Sequence, residues 1–138
     1  MFQLDDRLEQ DGPMIENLIP DFYVICKQNA HYPWLVLVPT VPGATELFHL
    51  NELQRNGLFN ATAALSKALK AVTAADKMNV HSIGNVVSQL HVHIISRKKD
   101  DPLWPNPVWR EAPKEGSWIK NLDEFKANLK RELARAWS

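Results

Sequence analysis

The stretch Gln89-Leu-His-Val-His-Ile-Ile95 alternates polar and large apolar residues, the pattern of a β-strand with one buried face. Leu90, Val92 and Ile94 then share one side, and Gln89, His91 and His93 the other. Two imidazoles on one strand face have Cα atoms about 6.5–7 Å apart. That is close enough for one ring to attack a phosphorus atom while the other reaches an oxygen bound to it.

With 138 residues, 45% hydrophobic and 23% charged, the chain fits one ordinary globular domain. That domain is expected to span 1–138, with a core over about 22–95 and a tail and C-terminal helix over 96–138. Sixteen basic and sixteen acidic residues cancel, so no global field attracts nucleic acid polymers or anionic membranes, and neither is an expected partner. Apolar runs such as Trp34-Leu-Val-Leu-Val38 are too short to span a bilayer. The acidic start Met1-Phe-Gln-Leu-Asp-Asp6 is unlike a secretory signal, so a cytoplasmic location is expected. Cys26 is the one cysteine; it sits in an apolar run and reads as a small buried thiol.

Short helical pieces are expected between Leu4 and Leu18. Phe22–Lys27 reads as a strand, and the turn-rich Gln28-Asn-Ala-His-Tyr-Pro33 joins it to a central strand at Trp34–Val38. Pro39, Pro42 and Gly43 end that strand. A long helix follows from about Asn51 to Lys77, with Asn51 and Gln54 as a capping box and Leu58, Leu65, Leu69 and Val72 as its apolar stripe. Val80–Ile83 and Val86–Ser88 are short extended pieces before the histidine strand. Arg97-Lys-Lys-Asp-Asp101 reads as a solvated turn, and Pro102–Trp109, with three prolines, as an extended tail. Asn121 and Glu124 cap an amphipathic helix marked by Leu122, Phe125, Leu129, Leu133 and Trp137. The sum is an α+β domain, an antiparallel sheet of about five strands packed on one long helix, with an added C-terminal helix.

Three readings of His91 and His93 stand at this point. They are structural imidazoles without chemistry, or two ligands of a metal completed by His31, His49, His81 or an aspartate near Asp100, or a nucleophile and its partner acting on phosphorus. The third reading needs one ring to keep a free lone pair, with its other nitrogen giving a proton to a fixed acceptor. The second ring would then donate to a phosphate oxygen or to the leaving group.

This strand, preceded by Gly84-Asn-Val-Val-Ser88, resembles the signature strand of the histidine triad (HIT) family, in which three histidines alternate with apolar residues after a short Gly-Gln-Ser/Thr segment. Tyr23-Val-Ile-Cys26, a turn, Leu35-Val-Leu-Val-Pro39 and a long helix follow that family's order of elements, and the resemblance covers roughly Phe22 to Ile95. From Lys77-Met-Asn-Val80 through Pro107-Val-Trp109 the chain is similar to a bacterial branch that keeps Gln in the first triad position. The resemblance implies a HIT-like fold and a hydrolase or transferase of nucleotides, typically homodimeric, with no cofactor and no metal. It also implies His91 as the nucleophile at the α-phosphorus, His93 as the residue beside the phosphate, and the Gln89 carbonyl as the acceptor for the His91 proton.

Departures from the family pattern cluster around the expected pocket. Trp34 stands where many members have another His, Cys26 where many have a nucleotide-contacting Asn, Asn85 replaces a Gln, and Val86 replaces a hydroxyl residue. With Val87, whose backbone N–H joins those of Asn85 and Val86 as an anion donor, these are the expected substrate-binding residues. Gln89 cannot titrate, yet its amide can donate one hydrogen bond and accept another. Trp104 and Trp109 either cover the sheet or a partner, or stack on a base.

Overall fold

The computed structural model describes residues 1–137. β-branched and aromatic residues form an antiparallel hairpin of β1 (Phe22–Cys26) and β2 (Trp34–Pro39), with Val24 opposite Leu37 and Cys26 opposite Leu35. β2 pairs on its other edge with β4 (Val92–Arg97), and β4 with β3 (Lys77–His81), all antiparallel, in the order β1-β2-β4-β3. A four-residue helix, α1 (Asp6–Glu9), precedes the sheet. The long helix α2 (Glu52–Thr73) lies between β2 and β3, and α3 (Leu122–Trp137) closes the chain.

Both long helices begin where the sequence places a cap. Asn51 accepts the Gln54 N–H at 2.8 Å while the Gln54 side chain accepts the Asn51 N–H at 2.9 Å, so two orphan donors are satisfied reciprocally. Asn121 accepts the Glu124 N–H at 3.0 Å. α2 runs through Gly57 without a break and stops when Ala74 turns left-handed at φ 52°, which frees the chain to enter β3 at Lys77. The helix therefore ends about one turn before the expected Lys77.

The strand alternation sorts the sheet into two differently used faces. Leu35, Leu37, Val92 and Ile94 point toward α2 and α3 and build the main core with Leu58, Leu65, Leu69 and Leu129; each such burial contributes about 1.5–3 kcal/mol. Trp34, Val36, Val38 and Ile95 point the other way and are covered by Leu8, Tyr32 and Val108. His93 belongs to this second face, directly across from Val36 on β2 and His81 on β3.

Four expectations need correction. The sheet has four strands rather than five, because Val86–Ser88 forms no ladder and the Val86 carbonyl accepts from Arg7 Nη1 at 3.1 Å. The histidine strand joins the sheet at Val92 instead of Gln89, since the Leu90 N–H goes to the Ala44 carbonyl at 3.0 Å. Residues 97–101 are no solvated turn: Arg97 is buried, donates to both Asp101 carboxylate oxygens at 2.7 and 2.9 Å, and lies between the rings of Tyr32 and Trp104. That charge-assisted fork anchors the tail, which then folds into turns and a short 3₁₀ helix at Val108–Arg110 instead of running extended. On the far side, the N-terminal segment covers the β1 edge through hydrogen bonds from Ile15 to the Val24 carbonyl and from Cys26 to the Pro13 carbonyl, both 2.8 Å. Among the described residues no helix is long and apolar enough to cross a membrane.

Candidate active site

The second face opens into a cleft of about 600 Å³ lined by His91, His93, the loop Gly84–Val87, Trp109, and residues of the N-terminal segment and Lys27. The His91 and His93 rings lie 4.8 Å apart between centroids at an interplanar angle of 79°. Each ring has one nitrogen committed to the protein, and the two commitments are opposite in kind.

His91 Nδ1 is 2.6 Å from the main-chain carbonyl of Gln89. A carbonyl only accepts, so Nδ1 carries the hydrogen and the lone pair of the neutral ring is left on Nε2. His93 Nδ1 accepts from Trp34 Nε1 at 2.9 Å, which puts the hydrogen of neutral His93 on Nε2. The pair thus presents one nitrogen that can attack and one N–H that can donate. Burial pushes the His93 imidazole down to about 3, with the neighbouring charges of His91, Lys27 and His81 acting in the same direction. His93 is neutral throughout the physiological range.

Gln89 contributes through its backbone to His91 and through its side chain elsewhere. Its amide donates to the Gln3 carbonyl at 2.8 Å and accepts the Asp5 N–H at 2.8 Å, pinning the N-terminal segment beside the histidines. α1 follows at once and brings Arg7 and Leu8 to the cleft wall. Arg7 is ion-paired with Asp5 at 3.0 Å, and that guanidinium holds the Asp5 carboxyl below the usual carboxylate range. Lys27 pairs with Asp11 at 3.0 Å and lies over the Trp34 ring. The cleft therefore carries two cations, each matched by one carboxylate.

Of the residues expected to bind substrate, Asn85, Val86 and Val87 line the cleft. Trp34 is fully buried behind His93 and meets it edge to face. Cys26 is fully buried on the opposite, helix-covered face of the sheet, and burial pushes its thiol up to about 12. Neither Trp34 nor Cys26 lines the cleft. Trp109 joins the two alternatives considered for it, packing on Trp34 and His93 at 5.1 and 4.8 Å while forming part of the cleft wall; Trp104 packs on Arg97 instead. Arg7, Asp11 and Lys27 were not singled out by the sequence. Lys27 had a usable signal, since it continues the parity of Ile25 one residue past β1; Arg7 had none, because its position depends on a contact with residue 86. Among the described residues no cluster of three or more His, Cys, Asp or Glu side chains is arranged to hold a metal ion.

Residues 17–100 match the family model for the HIT domain, well over half of the chain. The chain belongs to the histidine triad family. It is similar over its whole length to a histidine triad protein of Bradyrhizobium japonicum, with 38% identity, 96% of this chain and 98% of that one covered, and a TM-score of 0.86. A histidine triad (HIT) protein of Sinorhizobium meliloti 1021 shows 35% identity over 98% of this chain and 96% of its own, with a TM-score of 0.83. One from Marinobacter aquaeolei VT8 shows 36% identity over 99% and 96%, with a TM-score of 0.79. No curated protein matches the chain. Membership in the histidine triad family supports nucleotide binding and a hydrolase or transferase activity of that general class.

Proposed function

We propose that this histidine triad protein is a nucleotide hydrolase or nucleotidyltransferase that works through a covalent nucleotidyl-His91 intermediate. The observation that carries the proposal is the 2.6 Å contact between His91 Nδ1 and the Gln89 carbonyl, which leaves His91 Nε2 unprotonated on the ring facing the cleft. A nucleophile so oriented splits one substitution at phosphorus into two easier ones. His91 Nε2 attacks the α-phosphorus of a nucleoside phosphate derivative, and His93 Nε2–H donates to a non-bridging oxygen as charge gathers there. Water or another acceptor then displaces His91. Backbone N–H groups of Asn85, Val86 and Val87 and the cations of Arg7 and Lys27 offer further donors to the phosphate. Nucleoside phosphoramidates and dinucleoside polyphosphates are the two candidate substrate classes, with no metal or cofactor needed. The reading extends to a cytoplasmic homodimer.

His91→Ala is expected to abolish turnover, a loss of at least about 10³-fold, measured by product release from adenosine, guanosine and uridine derivatives of both classes. Rapid acid and base quench with a labelled nucleotide is expected to yield an acid-labile, base-stable label on His91. Unchanged turnover in the variant overturns the assignment. A neutral His93 also suits a module that binds nucleotide without turning it over; tight binding with no covalent label would favour that reading.

A further inference from the structure

The contact between Trp34 and His93 restricts the chemistry of the cleft further than the imidazole pair alone. An indole nitrogen has a hydrogen to give and no lone pair to offer. Protonating His93 at Nδ1 would therefore set two N–H groups head to head across a 2.9 Å contact. Neither ring has room to turn away. Trp34 is fully buried and held in β2 opposite Ile95, His93 is held in β4 between β2 and β3, and Trp109 packs against both rings. The charged and titratable groups around His93 reinforce this: His91 precedes it, His81 lies across from it on β3, and Lys27 approaches from the end of β1. The carboxylates nearby are already engaged, Asp11 by Lys27 and Asp5 by Arg7, each at 3.0 Å.

We infer that Trp34 is a positioning residue that locks His93 as a neutral Nε2–H donor, and that the cleft in consequence acts on nucleotide derivatives whose leaving group departs as an anion. This rests on the reading of His91 as nucleophile. A neutral imidazole whose Nδ1 is committed cannot release its remaining proton to a departing amine, because imidazolate would form. Val86 offers no hydroxyl, and the one ammonium among the residues lining the cleft, Lys27, is already committed to Asp11 at 3.0 Å and so is not free to hand a proton to the leaving group. The cleft does offer Arg7 and Lys27, which stabilise a phosphate or carboxylate as negative charge develops on it.

The step balances without a proton transfer. A bond forms between His91 Nε2 and the α-phosphorus, the bond from phosphorus to the bridging oxygen breaks, and that oxygen leaves with the electron pair as phosphate or carboxylate. His91 keeps its Nδ1 hydrogen on the Gln89 carbonyl. Water then attacks phosphorus, the P–N electron pair returns to His91 Nε2, and the water proton passes to solvent. The P–N bond of a phosphoramidate needs its nitrogen protonated before it breaks, and the locked pair does not supply that proton. The favoured class is thus the mixed anhydride, a nucleoside polyphosphate or an acyl nucleotide.

Two measurements on the intact protein test this. Long-range ¹H–¹⁵N correlation spectra of uniformly labelled protein are expected to show His93 Nδ1 bare and Nε2 protonated down to about pH 5, with Trp34→Phe restoring titration of that ring. Single-turnover rates for diadenosine tetraphosphate against adenosine 5′-phosphoramidate, with the uridine pair in parallel, are expected to favour the anhydride by about 10²-fold or more. In Trp34→Phe that ratio should narrow about tenfold as the pH falls. A hydrogen on His93 Nδ1 in the wild type, or a phosphoramidate consumed as fast as the anhydride, overturns the inference. Should Trp34→Phe fail to fold, the wild-type spectra and rate ratio decide alone. Absence of label on His91 overturns the nucleophile reading and the leaving-group preference with it, whereas a wrong tautomer with label present overturns only the present inference.

Discussion

Burial holds the His93 imidazole at about 3 against an ordinary value of 6.5, and this has a consequence for stability separate from its chemistry. The folded state refuses a proton that the unfolded chain accepts, so the unfolded state gains relative stability wherever it is protonated and the folded state is not. The contribution of a neutral His93 is complete above about pH 6.5 and is lost progressively as the pH falls from there toward 3. Its full size is a few kcal/mol, by the conversion of about 1.4 kcal/mol per pH unit. His81 adds in the same sense: burial, then Arg97, lowers its value, and its buried Nε2 has no hydrogen-bond partner among the described residues. Urea denaturation between about pH 7 and pH 4 is expected to show stability falling with pH, and replacing His93 by Asn should flatten that slope. An unchanged slope would mean that His93 takes up a proton in the native state.

At the scale of elements, the N-terminal segment is the piece whose placement is least evident from the sequence. One hydrogen bond donated by the Gln89 amide to the Gln3 carbonyl and one accepted by it from the Asp5 N–H, one from Arg7 to the Val86 carbonyl, and the edge pairing of residues 13–15 with β1 hold it. Gly12 permits the approach, because a Cβ there would overlap the Cys26 carbonyl. Gln89→Ala removes the side-chain clamp and leaves the carbonyl that orients His91. It is expected to cost about 1–2 kcal/mol, to speed amide exchange at Asp5, and to reduce turnover far less than His91→Ala does. A loss as large as that of His91→Ala would show the amide itself taking part in the chemistry. β1, β2, the starts of both capped helices and the face shared by the two histidines were legible because each follows from periodicity or from a cap within four residues, whereas β3, expected at Val80–Ile83 after a helix running on to Lys77, lies at Lys77–His81. The fourfold sheet, the buried Arg97–Asp101 fork and the Arg7 wall were not, because each depends on a hydrogen bond whose partner is chosen by the tertiary fold. Trp34 shows the boundary well. Its strand was readable, but its indole meets an imidazole 59 positions away.

For the molecule as a whole, the cleft occupies one face of the sheet while the helix side carries a separate apolar groove. That groove, about 670 Å³, runs between α2 and β3 and is lined by Leu47, Leu58, Phe59, Ala63, Val80 and Val92. Phe59 is 73% exposed and Val80 49%, on the side where β3 forms the open edge of the sheet. An exposed apolar patch next to an edge strand suits a second copy of the chain. Phe59→Glu is expected to shift sedimentation equilibrium from dimer to monomer, weakening association by about 10²-fold or more, with little change in thermal midpoint at high dilution. A monomeric wild type would remove the dimer from the proposed function. The two-sided strand β4 carries one more implication. Slipping it by a single residue would drive an imidazole into the leucines beneath α2 and push Ile94 out into the cleft. Errors in folding should therefore yield dead molecules rather than sluggish ones, so that an imperfect preparation loses active-site titre while the survivors keep full speed.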